Sequence, residues 1–166
     1  MSTAYVGLGA NLAFEGMGPR ETLTRAIDAL TEAGFAPNQL SSVWRSPAWP
    51  PSDQPDFYNA VASLDTRGHS PQALYECLRA IETRFGRQRR ERWAARTLDL
   101  DIVAIDAEVG LYGAIEVPHP RMHERAFVLA PLAEIAPAWR HPLRGLTAAE
   151  LLDALPQGQA QAVGPL

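Results

Sequence analysis

The sequence has no lysine: all 15 of its basic residues are arginine. A Walker-type phosphate loop needs its lysine, so that route to nucleotide binding is excluded, as is Schiff-base chemistry. A single cysteine, Cys77, excludes an internal disulfide. It falls on the apolar side of a predicted helix, where a buried, inert thiol is expected rather than a nucleophile. The four histidines are scattered without zinc-ligand spacing. No apolar run is long enough to span a bilayer, and the N-terminus enters a β-type run with no signal-peptide pattern. The expectation is a cytoplasmic protein without a membrane partner. The net charge of −4 excludes the whole surface as a polyanion binder, so any anion site is local. The 166 residues suit one domain spanning 1–166 with a real core, and no repeat or low-complexity tract divides it.

The chain's densest positive charge, Arg84, Arg87, Arg89, Arg90, Arg92 and Arg96, runs directly into Thr97-Leu98-Asp99-Leu100-Asp101-Ile102-Val103. The last stretch alternates. Leu98, Leu100 and Ile102 share one strand face, and Asp99 and Asp101 share the other, with Cα atoms roughly 7 Å apart. Close like charges repel, so the pair needs a reason. A carboxylate pair beside an arginine-rich loop suits a metal-bound polyphosphate, the carboxylates holding the cation and the guanidinium groups the phosphate oxygens.

Around this stretch the periodicities predict strands at Thr3–Leu8, Gln39–Arg45, Phe57–Thr66 and Leu98–Ile105. Gly9-Ala10-Asn11 reads as a turn. Helices are predicted over Pro19–Ala33 and from Ser70-Pro71 to Phe85, each with a first-turn proline and a following glycine. The order β-α-β-β-α-β predicts an α+β fold of ferredoxin-like type, an antiparallel sheet with both helices on one face, followed by an extra C-terminal segment. In that segment Arg121–Arg125 reads as a helical turn leading into Ala126–Leu132. Thr147-Ala148-Ala149-Glu150 is a capping box opening a last helix, and 157–166 reads as a loose tail. Four prolines between Ser46 and Asp56 forbid regular structure around Trp49, which suits a lid over a planar ligand or a tryptophan tucked on the surface. Glu82, near the end of the second helix, suits a surface bridge to a loop arginine.

From the residues alone, three functions stand. One is transfer chemistry on a metal-bound nucleotide. The second is a metal-dependent phosphohydrolase or nucleotidyltransferase using the same aspartates. The third is an RNA-binding ferredoxin-like domain with a basic loop, against which stand the acidic pI, the missing aromatic-rich RNP pattern and the two aspartates.

The run Arg92–Val103 resembles the signature of the 6-hydroxymethyl-7,8-dihydropterin pyrophosphokinase family: basic, any, two small, Arg, two more, then Asp-aliphatic-Asp-aliphatic-aliphatic. Three further segments resemble the same family in order. They are Tyr5–Leu12, Ser46-Pro47 with Asp53–Ala60, and Val117–Met122 with Arg125 and Phe127. The resemblance implies transfer of the β,γ-pyrophosphoryl group of ATP to the hydroxymethyl group of the pterin, giving AMP. It implies two Mg²⁺ ions on Asp99 and Asp101, and Arg87 and Arg96 as catalytic loop arginines. It implies nucleotide contacts at Glu82, Arg89, Trp93, Arg96, Ile102, His119 and Arg125. The pterin would lie between Phe57 and Phe127, with Asn59 at its edge and Ser46, Pro47, Trp49 and Trp93 lining the pocket. Small molecules are the implied partners of a monomer, with no nucleic acid. The chain departs from the family's common pattern at Arg79 (often glutamine), Phe57 (often tyrosine) and Pro120.

Overall fold

The computed structural model of the chain describes residues 2–48, 52–86, 97–156 and, for the backbone, 164–165. The order is β1 (Thr3–Ala10), α1 (Pro19–Glu32), β2 (Pro37–Leu40), β3 (Trp44–Ser46), β4 (Phe57–Asp65), α2 (Pro71–Arg84), β5 (Asp99–Ile105), β6 (Gly110–Tyr112), β7 (Ile115–Val117), a 3-10 turn (Met122–Glu124), α3 (Ala126–Ile135), α4 (Ala148–Asp153) and β8 (Gly164–Pro165). One sheet runs β5-β1-β4-β3-β8 with β2 also on β4, every pair antiparallel; β6 and β7 form a separate hairpin.

The elements arise where the periodicities require them. In α1, Pro19 takes the first turn, where its missing N–H costs nothing, and Leu23, Ala26 and Leu30 form the buried stripe. In α2 the Ser70 hydroxyl accepts from the Ala73 N–H at 3.1 Å, and Leu74, Leu78 and Ile81 are buried. Gly34 and Gly86 follow these helices with φ of 95° and 80°, conformations that stop a helix without strain. Both helices cover one sheet face through Val6, Leu8, Leu64, Leu98, Leu100 and Ile102. Cys77 is half-buried against this core, and that burial pushes its thiol pKa up.

The other face is only partly covered. Val61 and Val103 pack there with Met122, Val128, Leu129 and Leu132 of α3 and with Leu151 of α4. The capping box holds, with Thr147 Oγ1 and the Glu150 carboxylate each taking the other residue's backbone N–H. Inside α3, Pro131 has no N–H to return to the carbonyl of Phe127.

Three expectations are corrected. Gly9 and Ala10 are not a turn, because β1 runs through Ala10. The single strand expected over Gln39–Arg45 is two, β2 and β3, both on β4. The two helices of the expected core do share one face, and α3 and α4 of the C-terminal segment take the second. Gly164–Pro165 pair with β3 where a loose end was expected; residues 157–163 lie outside the described residues.

Candidate active site

The uncovered end of the second face is organised by register. Trp44 pairs with Asn59, Asn59 with Gly9, and Gly9 with Asp99, so one row crosses four strands. Directly paired residues share a face, and strands lie about 4.8 Å apart. Asn59 and Asp99 are therefore about 10 Å apart across Gly9. In the next row, Val61, Gly7 and Asp101 pair in the same way. Asp99 and Asp101 are half-buried on this face, while Leu98, Leu100 and Ile102 are buried on the other.

The two glycines make the floor. A Cβ on Gly9 would stand 2.6 Å from Asn59 Oδ1, so only glycine leaves room for that amide. Gly7 is less tight, with Val103 Cγ2 at 3.4 Å from its notional Cβ. Glycine inside a strand commonly marks close approach by a ligand or another group. The turn reading missed this. The detectable signal was the spacing of two, which puts both glycines on one face.

Over this floor lies a cleft enclosing about 390 Å³, its mouth included. Asn59, Asp99, Asp101, His119, Arg125 and Phe127 line it together with the glycines. Asn59 is 5% exposed, and among the described residues its Nδ2 has no hydrogen-bond partner, a donor that burial makes costly to leave unmet. The N–H of His119 donates to the carbonyl of Val103 at 2.8 Å, tying the histidine to β5. The Arg121 N–H donates to His119 Nδ1 at 3.1 Å, which leaves the ring proton on Nε2. Burial lowers the His119 pKa to about 4, the neighbouring Arg125 lowers it too, and Asp99 opposes both. The Arg125 guanidinium lies 5.7 Å from the centre of the Phe127 ring.

Glu82 is buried rather than a surface bridge. Its Oε2 accepts the Leu100 N–H at 2.8 Å, and Oε1 lies 3.0 Å from Arg79 Nε. Arg79 Nη2 also donates to the Leu100 carbonyl. Both backbone groups of Leu100 on the outer edge of β5 are thereby engaged. Ile102, the expected nucleotide contact, has its side chain in the core on the far face.

Ser46, Pro47 and Phe57 do not line the cleft. Ser46 pairs with Phe57, two residues before Asn59, and they continue the same face past it. Trp49, Arg87, Arg89, Trp93 and Arg96 lie outside the described residues.

Residues 5–137 match the model of the 7,8-dihydro-6-hydroxymethylpterin-pyrophosphokinase family. The chain belongs to this family. Among its relatives, a 2-amino-4-hydroxy-6-hydroxymethyldihydropteridine pyrophosphokinase of Pseudomonas aeruginosa is 44% identical over 155 residues, covering 92% of this chain and 91% of the relative. One of the same name from Synechocystis is 42% identical over 152 residues, covering 90% and 74%. In fold the chain resembles the Plasmodium falciparum HPPK-DHPS structures. The wild-type structure has a TM-score of 0.65 at 12% identity, with 91% of this chain covered. This chain spans 43% of that longer one. The family's mixed α/β fold, an antiparallel sheet with helices packed on it, is the fold seen here.

Proposed function

We infer that this chain, as a member of the pyrophosphokinase family, transfers pyrophosphate from ATP to 6-hydroxymethyl-7,8-dihydropterin in folate biosynthesis. The products are AMP and the pterin diphosphate. The observation that carries the assignment of roles is the row Trp44–Asn59–Gly9–Asp99. It sets the Asn59 amide, whose Nδ2 has no partner among the described residues, at one end, carboxylates at the other, and a bare glycine floor between them.

At the amide end, the Asn59 Nδ2 donor and the Phe127 ring suit the edge and face of a flat heterocycle. Phe57, Ser46 and Pro47 would extend this pocket, with Trp49 and Trp93 completing it. At the other end, Asp99 and Asp101 offer two half-buried carboxylates on one face. Among the described residues no cluster of three or more metal-ligating side chains occurs. Two carboxylates with the remaining ligands left to substrate oxygens and water fit Mg²⁺ rather than an all-protein cage. Two Mg²⁺ ions there would neutralise and align the triphosphate.

The chain's own groups do the rest. Neutral His119 presents Nε2–H as a donor, and Arg125 brings fixed positive charge near the start of α3. Glu82 and Ile102 would meet the nucleoside. Arg87, Arg89 and Arg96 would meet the phosphates, Arg87 and Arg96 acting on the transferring group. Such transfer needs charge stabilisation and alignment more than covalent help from the protein.

We read the sheet order as a split β-α-β core of ferredoxin-like type in one domain, acting as a cytoplasmic monomer. No helix among the described residues is long and apolar enough to cross a membrane. The test is an AMP assay with ATP, Mg²⁺ and the pterin. AMP that appears only when the pterin is present supports the reading. Phosphate or pyrophosphate released without a pterin would replace it with hydrolase or nucleotidyltransferase chemistry.

A further inference from the structure

Glu134 lies in the last turn of α3, seven residues past Phe127. Its carboxylate takes three hydrogen bonds from the sheet side. Oε2 accepts from the Ser42 N–H at 2.8 Å and the Ser42 hydroxyl at 3.0 Å, and Oε1 accepts from the Trp44 indole N–H at 3.0 Å. Partial burial pushes the Glu134 pKa up, but these hydrogen bonds together hold it below the usual range.

The two elements joined here differ in how well they are held. Helix α3 is anchored by Val128, Leu129 and Leu132 in the core of the second face. Strand β3 is three residues long, paired with β4 on one side and only with the two-residue β8 on the other. Yet β3 carries Trp44, the partner of Asn59, and Ser46, the partner of Phe57. A short strand with few ladder bonds needs another restraint to hold one geometry, and one carboxylate with both oxygens engaged supplies it.

We propose, resting on the pterin assignment above, that Glu134 is a positioning residue: it pins β3 to α3 and so sets the gap between Phe127 and the Ser46–Phe57 pair. Glutamine at 134 keeps one acceptor oxygen and turns an amide donor toward an N–H. It therefore satisfies the indole or Ser42 but not both.

The test is calorimetric titration of wild type, Glu134→Gln and Trp44→Phe. Each is titrated with 6-hydroxymethyl-7,8-dihydropterin in the presence of a non-hydrolysable ATP analogue with Mg²⁺, and with the analogue alone. Glu134→Gln should weaken pterin binding about tenfold, the scale of one hydrogen bond to a charged group. Nucleotide affinity should stay within about twofold, and kcat at saturating pterin should change little. Trp44→Phe, which keeps a ring and drops the donor, should show a smaller loss in the same direction. The double variant should be no worse than Glu134→Gln alone, because the two share one interaction. An unchanged pterin Kd in Glu134→Gln, or equal losses for both ligands, overturns the proposal. If Glu134→Gln fails to fold, an unchanged pterin Kd in Trp44→Phe overturns it instead. Wild type that binds no pterin sinks the functional reading itself, a result distinct from the others.

Discussion

Replacing Gly9 with alanine should separate binding from stability. The added Cβ would stand 2.6 Å from Asn59 Oδ1, 3.7 Å from Asn59 Cγ and 3.9 Å from the Tyr58 carbonyl. The backbone carbonyl is at ordinary distance, so the side-chain amide is what must move. Swinging it off its rotamer costs about 0.5–1.5 kcal/mol. Alanine in a strand interior gains back about 0.5–1 kcal/mol over glycine. The two nearly cancel, so Tm should shift by only a few degrees. The binding cost does not cancel. An Asn59 amide displaced from the pterin edge leaves ligand groups unmatched, at about 1–3 kcal/mol each, so pterin affinity should fall roughly 10- to 100-fold. Nucleotide affinity, centred on the aspartate end of the row, should change much less. Gly7→Ala is the control: its Cβ meets a valine methyl at 3.4 Å and touches no amide, so the pterin loss should be far smaller. The measurement is calorimetric titration with each ligand, alongside thermal unfolding. A Gly9→Ala protein with wild-type pterin affinity would refute the claim that glycine is there to seat Asn59.

Asp99→Ala and Asp101→Ala should each fold normally and lose Mg²⁺-dependent turnover; wild-type rates at saturating Mg²⁺ would remove the metal assignment. Arg96→Ala and Arg87→Ala should lower kcat by orders of magnitude with smaller changes in nucleotide Kd, and lysine should rescue them only in part. Weakened ATP binding with intact kcat would instead make them ground-state anchors. His119 titrates near 6.5 when unfolded and at about 4 when folded, so protonation favours the unfolded chain. Stability of the ligand-free protein should therefore fall as pH drops from about 6.5 to about 4, by at most about 3 kcal/mol from this group. His119→Gln should flatten that stretch of a urea-denaturation profile against pH. Thr147→Ala removes one arm of the capping box on α4 and should cost about 1 kcal/mol in the same denaturation assay, with turnover unchanged.

Local chemistry alone determined much of this protein. The alternation of Leu98, Asp99, Leu100 and Asp101 was enough to put two carboxylates on one strand face, because side chains on a strand can only alternate. Pro19, Ser70-Pro71 and the Thr147 capping box set helix starts, because the unpaired N–H groups there must be met within a turn. What the tertiary structure decided is which strands lie side by side. Gly9 is an ordinary glycine until β4 lays Asn59 beside it. Glu82 is a helix-end acid until β5 brings the Leu100 N–H against it. Trp44 and Glu134 are ninety residues apart and meet only because β3 and α3 share the second face. Those pairings depend on how two sheet faces divide their apolar surface among the helices packed on them, and no local window of sequence contains that division.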